Sequence, residues 1–332
     1  MEATSRQDSG EATRKYQPVP LASLRLYTVT DFDLYIKPNQ LSAPVLYRER
    51  NLPFTGEVLD RLAESKINSL YVSDDQQDLY QRYVEDNLGK IISDESMPPV
   101  ARAEILYGSA QNAVKENVRD LRSGEVLPRS ENLVSYVINF MFNVEASFNH
   151  FLDVCSFDYY TYTHSVSVCT YSISLAQRLG FEGLSFLMEF GTGALLHDIG
   201  KSRIDDDILN LKGTLSEEQW QIMRQHPKWG WEFLKEHGID SDTILGVALH
   251  HHEELRGGGY PDGLEGDEIP YYVRIVTICD IFDALMTRHS YKGAINSFPA
   301  LRMMQKEMTD NLDAGYFREF ISMMAGAEAQ QA

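Results

Sequence analysis

His251-His252-Glu253-Glu254-Leu255-Arg256-Gly257-Gly258-Gly259-Tyr260-Pro261 sets two adjacent imidazoles and a carboxylate ahead of three consecutive glycines. Imidazole and carboxylate are ligands that iron, manganese and zinc accept. A glycine run lets backbone come close to whatever those ligands hold. Working outward, the histidines are unevenly placed: all nine lie after residue 149. His197 and Asp198 are adjacent at the end of the apolar segment Gly193-Ala194-Leu195-Leu196, with Lys201 one helical turn further on. His164 lies on an earlier helix. His226 precedes Pro227, after a helix that starts near Ser216, and Asp280 ends the apolar run Ile275-Val276-Thr277-Ile278-Cys279. Taken singly, a helical histidine is usually a hydrogen-bonded structural residue, and such an aspartate caps the next helix. Together, His164, His197, His226, His251, His252, Asp198 and Asp280 are expensive to bury unless something shared compensates them. A pair of divalent cations does so, with one carboxylate bridging both.

Composition bounds what such a site can serve. The chain has 332 residues, enough for two domains. With 43% hydrophobic and 24% charged residues it has the make-up of a soluble globular protein. A net charge of -19 argues against a nucleic-acid polymer as partner, because phosphate-backbone faces need clustered Lys and Arg. It leaves room for a small anionic substrate held by metals and a few local cations. Cys155, Cys169 and Cys279 each sit in an apolar stretch and read as buried reduced thiols. No signal peptide and no run of bilayer length is expected, so the reading is cytoplasmic, with no membrane partner.

Two domains are expected. Residues 1–17 read as a disordered tail, and 18–92 as a small mixed α/β regulatory domain without a nucleophile, metal cluster or phosphate loop. Its strands are expected at Leu24–Ile36, Val45–Arg48 and Ser69–Val72. One of its helices is capped by Thr55, and another, capped by Ser73 or Asp74, runs to Ile92. Residues 93–130 read as a helical linker, and 131–326 as a second, all-helical domain. The fold class is therefore mainly α, with a small α/β unit in front.

The segment His197-Asp198-Ile199-Gly200-Lys201 resembles the HD motif of the HD phosphohydrolases, and 251–261 resembles the HHExxDGxGYP signature of the HD-GYP branch. Pro261-Asp262-Gly263-Leu264, Glu268-Ile269-Pro270 and Arg274-Ile275 are similar to that branch's run into a metal-binding Asp, here Asp280, and Tyr160 to Ser165 are similar to its first helix. The resemblance implies about seven helices holding two divalent ions, iron or manganese. His164, His197, Asp198 and Asp280 would hold one ion and His226, His251 and His252 the other, with Asp198 bridging. It implies hydrolysis of cyclic di-GMP to pGpG and GMP, with Asp198 and Lys201 catalytic. Lys201, Tyr260, Lys292, Gly257, Gly259 and His289 would contact substrate. His250 falls outside the ligand set on the motif's spacing. GGDEF-domain proteins and a homodimer are partners that family members take.

Four positions depart from the pattern. Tyr160 stands where some members carry a third-metal Glu, so two metals are expected. Arg256 replaces an Asp, read as a neutral structural change. His289 and Ser290 replace an Arg and a Pro, leaving Lys292 as the second cation; Arg288 is rotated by ~100° and is no automatic substitute. Loss of a bidentate guanidinium points to a slow enzyme. A cyclic di-GMP receptor or scaffold of low turnover, and an HD phosphohydrolase acting on another nucleotide, stay open. Trp229 and Trp231 read as core residues more readily than as a stacking platform.

Overall fold

The computed structural model describes residues 15–37, 42–67, 69–121, 124–155, 161–211, 213–289 and 297–331, without the side chains of 161, 287–289 and 328–331. Tyr160, Ser290 and Lys292, and the side chains of Arg288 and His289, lie outside the described residues, and so do the readings placed on them. The chain divides into two units, residues 1–97 and 98–332. It is mainly helical, with one small antiparallel sheet in the first unit.

In the first unit β1 (Tyr16–Pro20), β2 (Leu34–Ile36), β3 (Val45–Arg48) and β4 (Ser69–Ser73) form a sheet in the order β1-β4-β2-β3. Two helices accompany it, α1 (Gly56–Glu64) and α2 (Gln77–Ile92). Tyr80, Tyr83, Val84, Asn87, Leu88 and Ile91 form the buried stripe of α2, at the spacing of an amphipathic helix. Phe32 packs edge-on against Tyr80 and Tyr83.

Two expectations change here, and a third holds in position only. Tyr16 and Gln17, assigned to the tail, open β1, which among the described residues pairs only with β4; an edge position accommodates Pro18 and Pro20, which have no N–H to donate. The continuous strand from Leu24 to Ile36 shrinks to β2. Ahead of it the Tyr83 hydroxyl accepts from the Arg25 N–H at 2.7 Å and meets Thr28 Oγ1 at 2.6 Å, and Tyr27 turns into the left-handed region at φ 62°, so the chain bends instead of extending. Thr55 stands at the N-cap of α1, yet its side chain makes no capping hydrogen bond.

The second unit contains α3 (Pro99–Arg119), α4 (Val126–Asn143), α5 (Ser147–Val154), α6 (Thr161–Arg178), α7 (Leu184–Leu196), α8 (Asp206–Leu209), α9 (Glu217–Met223), α10 (His226–Glu236), α11 (Asp242–His250), α12 (Tyr271–His289), α13 (Phe298–Glu307) and α14 (Ala314–Gln331). These outnumber the seven helices implied, because chain between the long helices winds into short ones such as α8 and α9. The stretch expected as a linker is packed: α3 buries Ala103, Leu106, Tyr107, Ala110, Ala113 and Val114 and lies against α4, α5 and α6.

At the centre runs α7, whose residues from Phe190 to Leu196 are all buried. A helix apolar all round must be surrounded, and α4, α6 and α11 surround this one. Leu196, Ile199, Phe233, Leu234, Ile244, Leu245 and Ala248 form a core cluster with Trp231 packed on it, so Trp231 serves the core. Among the described residues no helix is long and apolar enough to cross a membrane.

Candidate metal centre

His197 is the first residue beyond α7, and Asp198 leads into a short 3-10 turn, Ile199–Arg203. Gly200 in that turn lies against α10: a Cβ there would collide with the His226 carbonyl and the Gly230 N–H. Absence of a side chain therefore fixes the His197-Asp198 corner against the helix that begins with His226. Ser216 starts α9 with a capping box completed by Gln219, and His226 opens α10 just ahead of Pro227. His251 and His252 follow the last turn of α11. Asp280, expected at the end of a segment, lies in the middle of α12.

These elements bring all seven expected ligands to one place. The donor atoms of His226, His251 and His252 lie within 4.8 Å of one another, as do those of His164, His197 and Asp280 and those of His197, Asp198 and His251. Asp198 stands between the groups and divides its oxygens. Its Oδ2 is 3.4 Å from His197 Nε2 and 3.7 Å from His164 Nε2, while its Oδ1 is 3.2 Å from His226 Nε2 and 3.9 Å from His251 Nε2. Asp280 reaches His164 Nε2 at 3.0 Å and His252 Nδ1 at 3.6 Å.

The donor set fits divalent cations. His197 Nδ1 meets the Ala194 carbonyl at 2.8 Å and His226 Nδ1 that of Met223 at 2.8 Å, while His251 Nδ1 meets those of Val247 and Ala248 at 3.1 Å. A carbonyl only accepts, so each Nδ1 carries a proton, and the tautomer this selects is the one whose Nε2 lone pair can face inward to a metal ion. His226 Nε2 and His251 Nε2 then face each other at 3.1 Å, a repulsive contact unless a cation lies near. His197 Nε2 and Asp198 Oδ1 are buried with no hydrogen-bond partner, which is costly for polar atoms unless another species satisfies them.

The electrostatics follow from burial and charge. Burial, then the neighbouring imidazoles, hold His251 well below the usual histidine range. Burial likewise takes His252 down to about 3. For His164 burial works against charge, but hydrogen bonds to Asp280 and Asp283 overcome it and raise the group to about 10. Asp198 is well below the usual carboxylate range because Lys201 and His197 outweigh its desolvation. Lys201 Nζ donates to Asp198 Oδ2 at 2.6 Å.

The glycine loop folds back over this centre. Glu253 is buried and accepts the backbone N–H groups of Asp262 (2.7 Å), Gly263 (3.1 Å) and Leu264 (3.0 Å). Gly257 donates its N–H to the Glu254 carbonyl. Gly259 touches the backbone of His252 and Glu253 so closely that any Cβ would collide with it. The Tyr260 ring consequently lies 4.7 Å from that of His252. Arg256 is exposed and pairs with Asp310. His250 turns to Asp262 at 3.0 Å.

Two residues of the site went unread in the sequence. Asp283 accepts from His164 Nδ1 at 2.8 Å; the Asp-x-x-Asp spacing with Asp280 on one helix face was its signal. Glu253 stands inside the motif, and its signal was its place at the entrance of a glycine loop, where a carboxylate has backbone N–H groups to bind.

Residues 156–315 match the family model described as HD domain. Over 224 residues the chain is 33% identical to a cyclic di-GMP phosphodiesterase of Pseudomonas aeruginosa, covering 67% of this chain and 54% of that one. Over 158 residues it is 35% identical to 3'3'-cGAMP-specific phosphodiesterase 3 of Vibrio cholerae, covering 48% of this chain and 34% of that one. The chain thus spans about half of the first relative and a third of the second. An HDG"Y"P protein from Bdellovibrio bacteriovorus, 23% identical, superimposes with a TM-score of 0.65 over 94% of this chain and all of its own, which is agreement in fold. With these matches and the side chains it gathers, the second unit belongs to the HD domain family, in its HD-GYP branch.

Proposed function

We propose that the second unit is a two-metal phosphodiesterase that hydrolyses cyclic di-GMP to pGpG and GMP. The observation that carries this reading is the division of Asp198, one oxygen toward His164 and His197 and the other toward His226 and His251. His164, His197 and Asp280 would hold one ion, His226, His251 and His252 the second, and Asp198 both. Iron or manganese suits this mixed set of imidazole and carboxylate.

Held by these residues, two divalent ions would supply a water nucleophile near neutral pH and offset charge on the phosphoryl oxygens. Around them the chain positions and neutralises. Asp198 holds Lys201 at the rim, where its ammonium faces the phosphate and stabilises the charge that grows there during bond cleavage. Tyr260, raised above the ordinary tyrosine range by burial and by Asp280 and Asp198, stays a neutral phenol beside the cavity. The glycines at 257 and 259 keep the loop low enough for substrate to reach the ions.

The Vibrio cholerae relative named for 3'3'-cGAMP favours a second reading, in which one guanine gives way to adenine. A single experiment separates these readings from that of a receptor. The chain is produced anaerobically with iron or manganese, its metal is counted, and cyclic di-GMP and 3'3'-cGAMP are each followed by chromatography. Linear product from one dinucleotide, absent in Asp198→Ala, supports hydrolysis and names the substrate. Binding without turnover in either metal makes the protein a receptor.

A further inference from the structure

An arginine at the corner between α9 and α10 is used by nothing described so far. Arg224 closes α9 two residues before His226. Its guanidinium lies over the Tyr260 ring, 4.8 Å from the centroid, and that ring lies 4.7 Å from His252 at a tilt of 30°. Arg224 is half-buried, and its Nε is buried without a hydrogen-bond partner. Among the described residues no carboxylate pairs with it, whereas Arg129 is neutralised by Glu116, and Arg274 by Asp267 and Asp313. With one face on an aromatic ring, a guanidinium keeps its edge N–H groups for an anion in its own plane.

We infer that Arg224 binds the substrate through a phosphate other than the one being cleaved, using Tyr260 as its platform. The inference rests on the proposed hydrolysis of a cyclic dinucleotide. Tyr260 touches both Arg224 and His252, so the guanidinium lies one aromatic ring away from a candidate ligand of the centre. The reacting phosphate belongs with Asp198 and Lys201. A cyclic dinucleotide carries two phosphodiesters, and once one is placed at the ions the other remains as the anion for a cation one ring away. Arginine suits this task because its fork meets two phosphate oxygens at once.

The test uses the full metal-loaded chain, Arg224→Gln and Arg224→Lys, with cyclic di-GMP and with bis(p-nitrophenyl) phosphate, which has a single phosphate. In Arg224→Gln the KM for cyclic di-GMP is expected to rise about tenfold or more, as for a lost charge-assisted hydrogen bond. Arg224→Lys should lie between parent and Arg224→Gln, the effect should fall on KM rather than kcat, and metal content should match the parent. The rise should exceed that for the single-phosphate ester by about tenfold. Equal rises for both esters, or a fall in kcat with loss of metal, make Arg224 a prop for Tyr260 and overturn the inference. Calorimetric binding of cyclic di-GMP reads the same contact without turnover, and equal affinity in parent and Arg224→Gln also overturns it. A parent chain that neither cleaves nor binds the dinucleotide sinks the functional reading itself; a parent that does either, matched by Arg224→Gln, sinks only this inference.

Discussion

Asp283 shows what a single residue beyond the ligands controls. It accepts the His164 Nδ1 proton at 2.8 Å and thereby aims Nε2 at Asp280 and Asp198. Replacing such an orienting carboxylate lowers metal affinity by about 10–100-fold in comparable sites. Asp283→Asn is therefore expected to weaken metal retention by that order, read as metal content against chelator concentration, with the fold intact by circular dichroism; unchanged retention would show that His164 needs no orienting partner. Glu253 works on the loop instead. Removing its carboxylate in Glu253→Ala strands three inward N–H groups and should lower unfolding stability by about 1–3 kcal/mol in a denaturant titration. The seven candidate ligands that the structure gathers were legible in the sequence because the chemistry of each side chain is local and their order matches a motif. Asp283 and Arg224 were harder to read, since their roles depend on what stands opposite them in space.

Among the elements, helices were read well and the N-terminal strands less so. Helical periodicity is carried by each segment alone, as in the stripe from Tyr80 to Ile91. A strand is defined by its partner: Tyr16–Pro20 is a strand because β4 lies beside it, and nothing in Gln17-Pro18-Val19-Pro20 announces that. Residues 24–33 contain the same kinds of side chain as β2, but hydrogen bonds to Tyr83 bend them away. At this scale the contact of Gly200 with α10 makes the sharpest prediction. Gly200→Ala forces backbone apart where no flexible side chain can yield, and is expected to destabilise the chain by about 1–3 kcal/mol, in line with overpacking. It should also loosen the metal ion assigned to His226, measured by thermal unfolding with and without manganese. An Ala variant that melts and binds as the parent does would show the turn and α10 free to separate.

For the whole molecule, the buried histidines set a stability profile opposite on its two sides. In the metal-free chain His252, at about 3, and His251 stay neutral in the folded state, while the unfolded chain protonates both as pH falls below about 6.5. The unfolded state then binds more protons, so stability is lost from about pH 6.5 downward. His164, at about 10, remains charged in the folded chain where it is neutral in the unfolded one, so its contribution is complete below about pH 6.5 and fades as pH climbs toward 10. Asp198 and Asp280 lie below the usual carboxylate range and lose their contribution only in stronger acid. The chelated protein should melt highest near pH 6.5, and a melting temperature that keeps rising from pH 6 to 9 would contradict a charged His164. The side chains that converge here come from distant parts of the chain, with His164 and Asp283 119 residues apart. An ion held between such segments closes a long loop and acts as a staple does, subtracting freedom from the unfolded chain. Each position, once occupied, would thus tighten the scaffold as well as equip it for chemistry, and a starved cell would hold a looser, more readily digested form of the same protein.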